Sequence, residues 1–303
     1  MNKFLLFFPC LMNFFCHTDD QTFRETIYPS WGQTFAVDEV LYHNKTAYQD
    51  LIVFDNKQFG VTMALDGAIQ VTEKDEFIYH ESLAHIPCFS HGYVKSALVI
   101  GGGDGGLIRE LLKHQSIEKI TLVELDEEVI RFSKEFLPFI SCGAFDDPRV
   151  DIIIQDGSSY IKTCEETFDL ILVDSPDPVG EAMSLFTPSF YRDCKNHLNE
   201  GGIFANQAGV PFMQPEELTM INTALSEVFE HVDFFFSAVP SYAGGLMAFG
   251  FATNSLLPLD EERLEEQSQA ISHMLRYYTK EIHKGAFSKP KFIVDLLQDF
   301  DRS

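Results

Sequence analysis

The sequence predicts an α/β protein: a doubly wound, mostly parallel sheet with helices on both faces, preceded by a small antiparallel β domain. Three observations carry this. From about residue 95, short unbroken apolar runs alternate with helix-patterned segments. The first of those runs ends in a cluster of glycines, "ALVIGGGDGG" over 97–106. Before it, residues 31–80 alternate apolar and polar side chains with a period of two. Unbroken apolar strands suit a sheet covered on both faces, whereas alternation marks a sheet with one wet face.

The elements follow in chain order. The stretch "MNKFLLFFPCLMNFFCH" places Lys3 before an apolar run, as a short export signal does. Asn13 interrupts the run and no A-x-A cleavage site follows, so residues 1–18 are expected to be an extension outside the fold or a misassigned start, with the signal-like reading as the alternative. Residues 19–90 form the expected β domain. Its clearest feature is Asp66-Gly67 between "MAL" and "AIQV", a two-residue hairpin turn. Residues 91–303 form the expected catalytic domain. Its strands are 97–100, 119–124, 149–155, 168–174 and 202–207. Between them, "DEEVIRFSKEFLP" offers Asp126 as a helix cap with acids in the first turn. "TPSFYRDCKNHLNEGG" offers Thr187 as cap, Pro188 in the first turn and Gly201 past the end. "DFFFSAV" (233–239) reads as a core strand. The alternation gives a Rossmann-like fold, similar to the class I methyltransferases, whose ligand lies outside the carboxyl ends of the strands.

Those ends carry acids. The first strand runs into Gly101, Gly103 and Gly106 in G-x-G-x-x-G spacing, with Asp104 where a phosphate would otherwise rest. The second ends at Glu124, placed to accept ribose hydroxyls. The third ends at Asp156-Gly157, and the fourth in "DSPDPVG", with Asp174 and Asp177. Each acid alone also fits a helix cap. Five at one crevice call for a cation, because clustered like charges otherwise destabilise a fold. No histidine or cysteine set has metal-ligand spacing, which favours an organic polycation over a metal. Asp104 would repel a diphosphate and hold an ammonium. The turn then serves a nucleoside with a positively charged tail.

Composition agrees. The formal net charge of −24 excludes nucleic acid and anionic membranes as partners and suits a cationic small molecule, although solubility alone also explains it. Six scattered cysteines without a CxxC pair point to a reduced, cytoplasmic protein without a zinc site.

Stretches through nearly the whole chain resemble the spermidine synthases, the polyamine aminopropyltransferases. They include "YQDLIVF" (48–54), "LDGAIQVTEKDEFIYHE" (65–81), "IGGGDGGLIRE" (100–110), "VELDEEVI" (123–130), "QDG" (155–157), "VDSPDPVG" (173–180), "LFTPSFY" (185–191) and "YYTKEIHKGAF" (277–287). The resemblance implies transfer of the aminopropyl group of decarboxylated S-adenosylmethionine, a co-substrate, to putrescine, without a cofactor. It implies that Gln49, Asp104, Glu124, Asp156 and Gly157 bind the donor. Tyr79, His80, Asp177, Gln207 and Tyr242 would hold the diamine or the transferred chain, and Asp174 would be the proton acceptor. An ammonium has no lone pair, so a carboxylate beside it must take a proton for it to attack. Read alone, Tyr79 suits a core aromatic, His80 a structural residue, and Trp31 either packing or a diamine pocket. Pro176 and Glu181 depart from the family's usual residues, Ser or Thr and Pro, in the loop expected to close over the site.

Rival readings keep the sheet and change the chemistry: a longer or different amine acceptor (spermidine, cadaverine, agmatine), or methyl transfer from S-adenosylmethionine to putrescine. A non-catalytic polyamine sensor would have no use for a proton acceptor. The small β domain cannot bury its own sheet, so a homodimer or homotetramer is expected.

Overall fold

The computed structural model describes residues 21–256 and 259–299; the extension expected over 1–18 lies outside the described residues. The chain opens with an antiparallel pair, β1 (Thr22–Arg24) and β2 (Thr34–Ala36). A four-stranded antiparallel meander follows: β3 (Glu39–Lys45), β4 (Asp50–Asn56), β5 (Gly60–Leu65) and β6 (Ala68–Thr72). Asp66 (φ 48°) and Gly67 (φ 80°) join β5 to β6 with both central residues left-handed, the conformation whose twist matches the flanking strands.

The strand pattern expected to reach residue 80 ends at Thr72. Residues 76–91 form α1 (Glu76–His91), closed by Gly92 in the left-handed conformation. This helix is buried on nearly every face, Glu76, His80, Glu81 and His85 included. Because burial surrounds it, no polar stripe marks it in the sequence. It packs against the helix of residues 106–111 and the strands of residues 168–174 and 198–207.

The alternating region then runs β7 (Ser96–Gly101), α2 (Gly106–Leu111), β8 (Lys119–Glu124), α3 (Glu127–Phe136), α4 (Pro138–Ser141), β9 (Val150–Ile154), α5 (Gly157–Thr163), β10 (Phe168–Asp174), α6 (Pro188–Asn196), β11 (Leu198–Gln207) and α7 (Pro215–Ser226). The hairpin β12 (His231–Ala238) and β13 (Leu246–Thr253) completes the sheet; α8 (Glu261–Ile271) packs on α1, α9 (Lys280–Ala286) on β12, and α10 (Lys291–Asp299) on α7. Strand order is β12-β13-β11-β10-β7-β8-β9. Five strands are parallel; β12 and β13 are antiparallel at one edge. One apolar cluster, with Leu83, Val99 and Leu172, fills one face; another, with Ile100, Ile171 and Phe204, fills the other.

The expected caps hold α3 and α6. Asp126 accepts from the Glu128 N–H, and Thr187 from the Phe190 N–H, with Pro188 at the first position. Gly201 lies past the end of α6 but does not close it. That helix ends at Asn196 with His197 at its cap, where the His197 ring faces the carbonyls of Asp193 (2.8 Å) and Cys164 (2.9 Å). Gly201 (φ 78°) lies inside β11, where its pairing with β10 slips register between Phe168 and Leu170.

The order of connection reverses at β7. From it the chain steps to β8 and β9 on one side and later to β10 and β11 on the other. Such a reversal leaves a crevice at the carboxyl ends of β7 and β10. The meander reaches this crevice by packing Leu51, Val53 and Met63 against Val129 and Phe132 of α3.

Candidate active site

The floor of the crevice is the pairing of Gly101 with Asp174, the last residues of β7 and β10. The Gly102 N–H donates to the Asp174 carbonyl at 2.8 Å. The glycines between them make room for the acids. A Cβ on Gly101 would meet the Asp174 carbonyl oxygen at 2.1 Å, one on Gly103 the Glu124 carboxylate at 2.8 Å, and one on Gly106 the His80 ring at 2.3 Å.

Asp174 accepts a hydrogen bond from the Tyr79 hydroxyl at 2.7 Å. Burial and then the charge of Asp104 push the Asp174 carboxyl up to about 6, against the opposing pull of His80 and Tyr79. Asp104 accepts the Gly106 N–H at 2.7 Å through Oδ1 and faces His80 Nε2 at 3.3 Å through Oδ2. Burial acts to raise its pKa, but His80, the Gly106 amide and Arg109 hold it below the ordinary carboxylate range. The two neighbouring acids are thus driven apart, one toward neutrality and one firmly ionised.

His80, expected on the acceptor side, has both ring nitrogens engaged elsewhere, with Asp104 and with Glu76 Oε2 (2.7 Å). It leaves no ring nitrogen for an amine. Among the residues expected to bind the donor, Glu124 ends β8, accepts the Asp126 N–H at 3.0 Å, and is pushed up to about 7 chiefly by burial. Gln49 reaches the same helix start, where its Nε2 lies 3.3 Å from Asp126 Oδ2. Asp156 caps α5, accepting Ser158 Oγ–H (2.7 Å) and Ser159 N–H (2.8 Å). Gly157 lies against Ile100, where a Cβ would approach to 2.3 Å.

Asp177 accepts from Gln214 Nε2 at 2.8 Å, and burial raises its pKa. Gln207 donates to the Pro176 carbonyl at 3.3 Å and accepts the Gly209 N–H at 2.9 Å, steadying the loop after β10. Tyr242 donates to the Gln70 carbonyl at 2.6 Å and meets the Tyr79 ring edge-on at 5.9 Å. Burial, then Asp174, Asp75, Asp104 and Asp177, raise its phenol well above its usual value. The side chain of Glu181 lies outside the described set.

Four further residues join this end: Glu25, Tyr28, Gln214 and Glu217. Burial is the largest influence on Glu25, Tyr28 and Glu217, and each also feels the negative charge of Asp177. Glu217 is pushed up to about 8, and its Oε1 has no hydrogen-bond partner among the described residues. Its sequence context, "QPEEL", reads as acids in the first turn of an ordinary solvated helix, so no local signal marked it. Glu25 stands beside the short β1, and only tertiary folding brings it here. Trp31 is 45% exposed, with its ring 6.3 Å from Tyr28.

The site therefore offers a carboxylate that titrates near neutral pH, a second that stays ionised beside it, and a further acidic region around Asp177. Such an arrangement can bind ammonium groups and take a proton from one.

Two family models match the chain: a spermidine synthase tetramerisation domain over residues 21–73 and a spermine/spermidine synthase domain over 76–261. A polyamine aminopropyltransferase of Pectobacterium atrosepticum is 46% identical over 277 residues, covering 91% of this chain and 96% of that protein. One from Salmonella paratyphi B is 45% identical over 281 residues, covering 92% and 98%. A crystal structure of a spermidine synthase in complex with the transition-state analogue AdoDATO superposes with a TM-score of 0.87 at 36% identity, over 91% of this chain and 94% of that one. Spermidine synthase from Thermotoga maritima gives 0.84 at 35%, with the same coverage.

Proposed function

Because the chain belongs to the spermine/spermidine synthase family, we propose that it is a polyamine aminopropyltransferase that makes spermidine. The donor is decarboxylated S-adenosylmethionine and the acceptor putrescine. The observation that carries this reading is Asp174, held by Tyr79 at the switch point of the sheet and raised toward neutrality beside an ionised Asp104.

One end of putrescine sits against Asp174. Its ammonium gives up a proton to the carboxylate, and the freed nitrogen attacks the carbon next to the donor's sulfonium. A carbon–nitrogen bond forms as the carbon–sulfur bond breaks, and the electron pair neutralises the sulfonium to the thioether of 5′-methylthioadenosine. Asp174 later returns the proton to water. The sulfonium is itself the leaving group, so the donor acts as co-substrate. Asp104 holds the donor's ammonium, and Glu124 and Gln49 face its nucleoside, with Asp156 and Gly157 at the adjoining turn. Asp177, Gln207 and Tyr242 border the diamine, and His80 serves Asp104. Holding both substrates in line supplies much of the remaining acceleration.

The same reading makes the protein a homodimer or homotetramer. Val40 and Tyr48, exposed on and beside the small sheet, suit burial by a second copy. It also makes the enzyme cytoplasmic, in keeping with its scattered cysteines without a CxxC pair. The deciding experiment incubates the protein with the decarboxylated donor and a panel of amines and identifies products by mass. Spermidine with methylthioadenosine is the expected pair. S-adenosylhomocysteine with a methylated diamine, formed from S-adenosylmethionine, would overturn the reading.

A further inference from the structure

Behind Asp104 runs a row of buried and partly buried charges that the proposed reaction does not touch. His80, 2% exposed, lies between Asp104 Oδ2 (3.3 Å from Nε2) and Glu76 Oε2 (2.7 Å from Nδ1). Arg109 grips Glu76 with two parallel hydrogen bonds, Nη1 to Oε1 at 3.1 Å and Nη2 to Oε2 at 2.8 Å. Arg109 is itself pinned by the Ile140 carbonyl (2.6 Å) and Glu110 (2.8 Å), and Lys113 closes on Glu110 at 2.5 Å. From the crevice inward the charges alternate: Asp104, His80, Glu76, Arg109, Glu110, Lys113.

We propose that Glu76 and Arg109 are positioning residues that act through His80: they hold its ring as an imidazolium aimed at Asp104, so that Asp104 stays ionised and directed at the donor's ammonium. This rests on the aminopropyl-transfer reading for the identity of the ammonium.

The geometry requires the charged ring. An imidazole between two carboxylates satisfies both only by donating from both nitrogens. A neutral ring would turn a lone pair toward one of them at a place water does not reach, where an unmatched polar group is most costly. Glu76 must then be compensated in turn, and the planar fork of Arg109 does so with fixed direction. The other groups facing His80 are Tyr79, whose ring stands edge-on at 5.5 Å, and Asp174, which shares its field. Burial opposes protonation of His80, and Asp104 and Glu76 together outweigh it. Gly106 leaves the space the ring occupies.

The test separates charge from shape. Methylthioadenosine shares the nucleoside and lacks the ammonium. In Glu76→Gln the Kd of the decarboxylated donor should rise tenfold or more, while the Kd of methylthioadenosine and the KM of putrescine stay put. Arg109→Lys, which keeps the charge and loses the fork, should show a smaller shift of the same pattern. Nitrogen NMR of the His80 ring in the unaltered protein should report an imidazolium through pH 8. A neutral ring at pH 7.5, equal loss of donor and methylthioadenosine, or no change in donor affinity would each overturn the proposal. Failure of the unaltered protein to turn over the decarboxylated donor would instead overturn the reaction, with the ring's state still judged by NMR.

Discussion

Asp104 and Asp174 share one crevice, and their surroundings give them opposite tasks. Asp174 has burial and a like charge acting on it, so its carboxyl sits near 6 and can accept a proton at neutral pH. Asp174→Asn should lower kcat by roughly 10²–10⁴ while donor binding survives, as rapid-mixing kinetics and calorimetry would show. The same substitution should stabilise the fold. An acid whose folded pKa lies above its ordinary 3.8 lends stability in full only below that value, and loses it as pH rises to about 6. The melting temperature of Asp174→Asn should therefore exceed the parent's at pH 7–8, and the gap should close as pH falls toward 4. Equal melting at pH 7.5 would mean that Asp174 is not an uncompensated buried charge. In the proposed reaction Asp104 governs which donor enters. S-adenosylmethionine carries a carboxylate beside its amine, and the decarboxylated form does not. At about 4 Å the repulsion between Asp104 and that added carboxylate is roughly 1–4 kcal/mol, between bulk-water and near-surface dielectrics. The corresponding preference is about fivefold to several-hundredfold. Asp104→Asn should weaken the decarboxylated donor and narrow its lead over S-adenosylmethionine in competition binding; an unchanged ratio would remove Asp104 from donor choice.

The elements divide into those that local chemistry announces and those that only packing explains. The parallel strands, the Asp126 and Thr187 caps and the Asp66-Gly67 turn each rest on a few neighbouring residues, and each was legible in the sequence. Helix α1 was not. Its Glu81 carboxylate accepts the backbone N–H groups of Arg276, Tyr277 and Tyr278 at 2.8–2.9 Å, partners almost two hundred residues away. Gly201 misled for a related reason: a glycine after a helical pattern resembles a cap, yet the chain was already in β11. At the site, the acids at strand ends were legible because topology alone places them, whereas Gln214, Glu217 and Glu25 arrive from elements with no local mark. The glycine turn shows how an element serves a site. Gly101 (φ 80°) and Gly143 (φ 82°) share a left-handed backbone, but Gly101 lies against the Asp174 carbonyl and Gly143 against no described residue within 4 Å. Gly143→Ala should cost only the backbone strain, about 1–2 kcal/mol. Gly101→Ala adds a clash with the strand that carries Asp174, so it should be several kcal/mol less stable and inactive. Denaturant unfolding of the pair measures the difference, and equal losses would show that close approach is not what Gly101 provides.

The whole molecule carries a formal charge of −24, and its acids converge where the strands end. Among the described residues, Arg109 and His80 are tied to acids behind the turn, so the mouth of the crevice presents Asp104, Asp174 and Asp177 with little positive charge between them. A field of one sign focused by a low-dielectric cleft raises the local concentration of oppositely charged substrate. Both proposed substrates are cations, whereas methylthioadenosine is neutral. Screening reaches about 30 Å at 0.01 M salt and about 8 Å at 0.15 M, so long-range attraction should fade across that range and short contacts should not. The kcat/KM for putrescine should fall several-fold between those ionic strengths, and the inhibition constant of methylthioadenosine should hardly move. Asp177→Asn, which removes charge at the proposed acceptor side, should flatten the dependence for putrescine. If the salt response of putrescine matched that of methylthioadenosine, the net charge would serve solubility alone, and recognition would rest entirely on contacts inside the crevice.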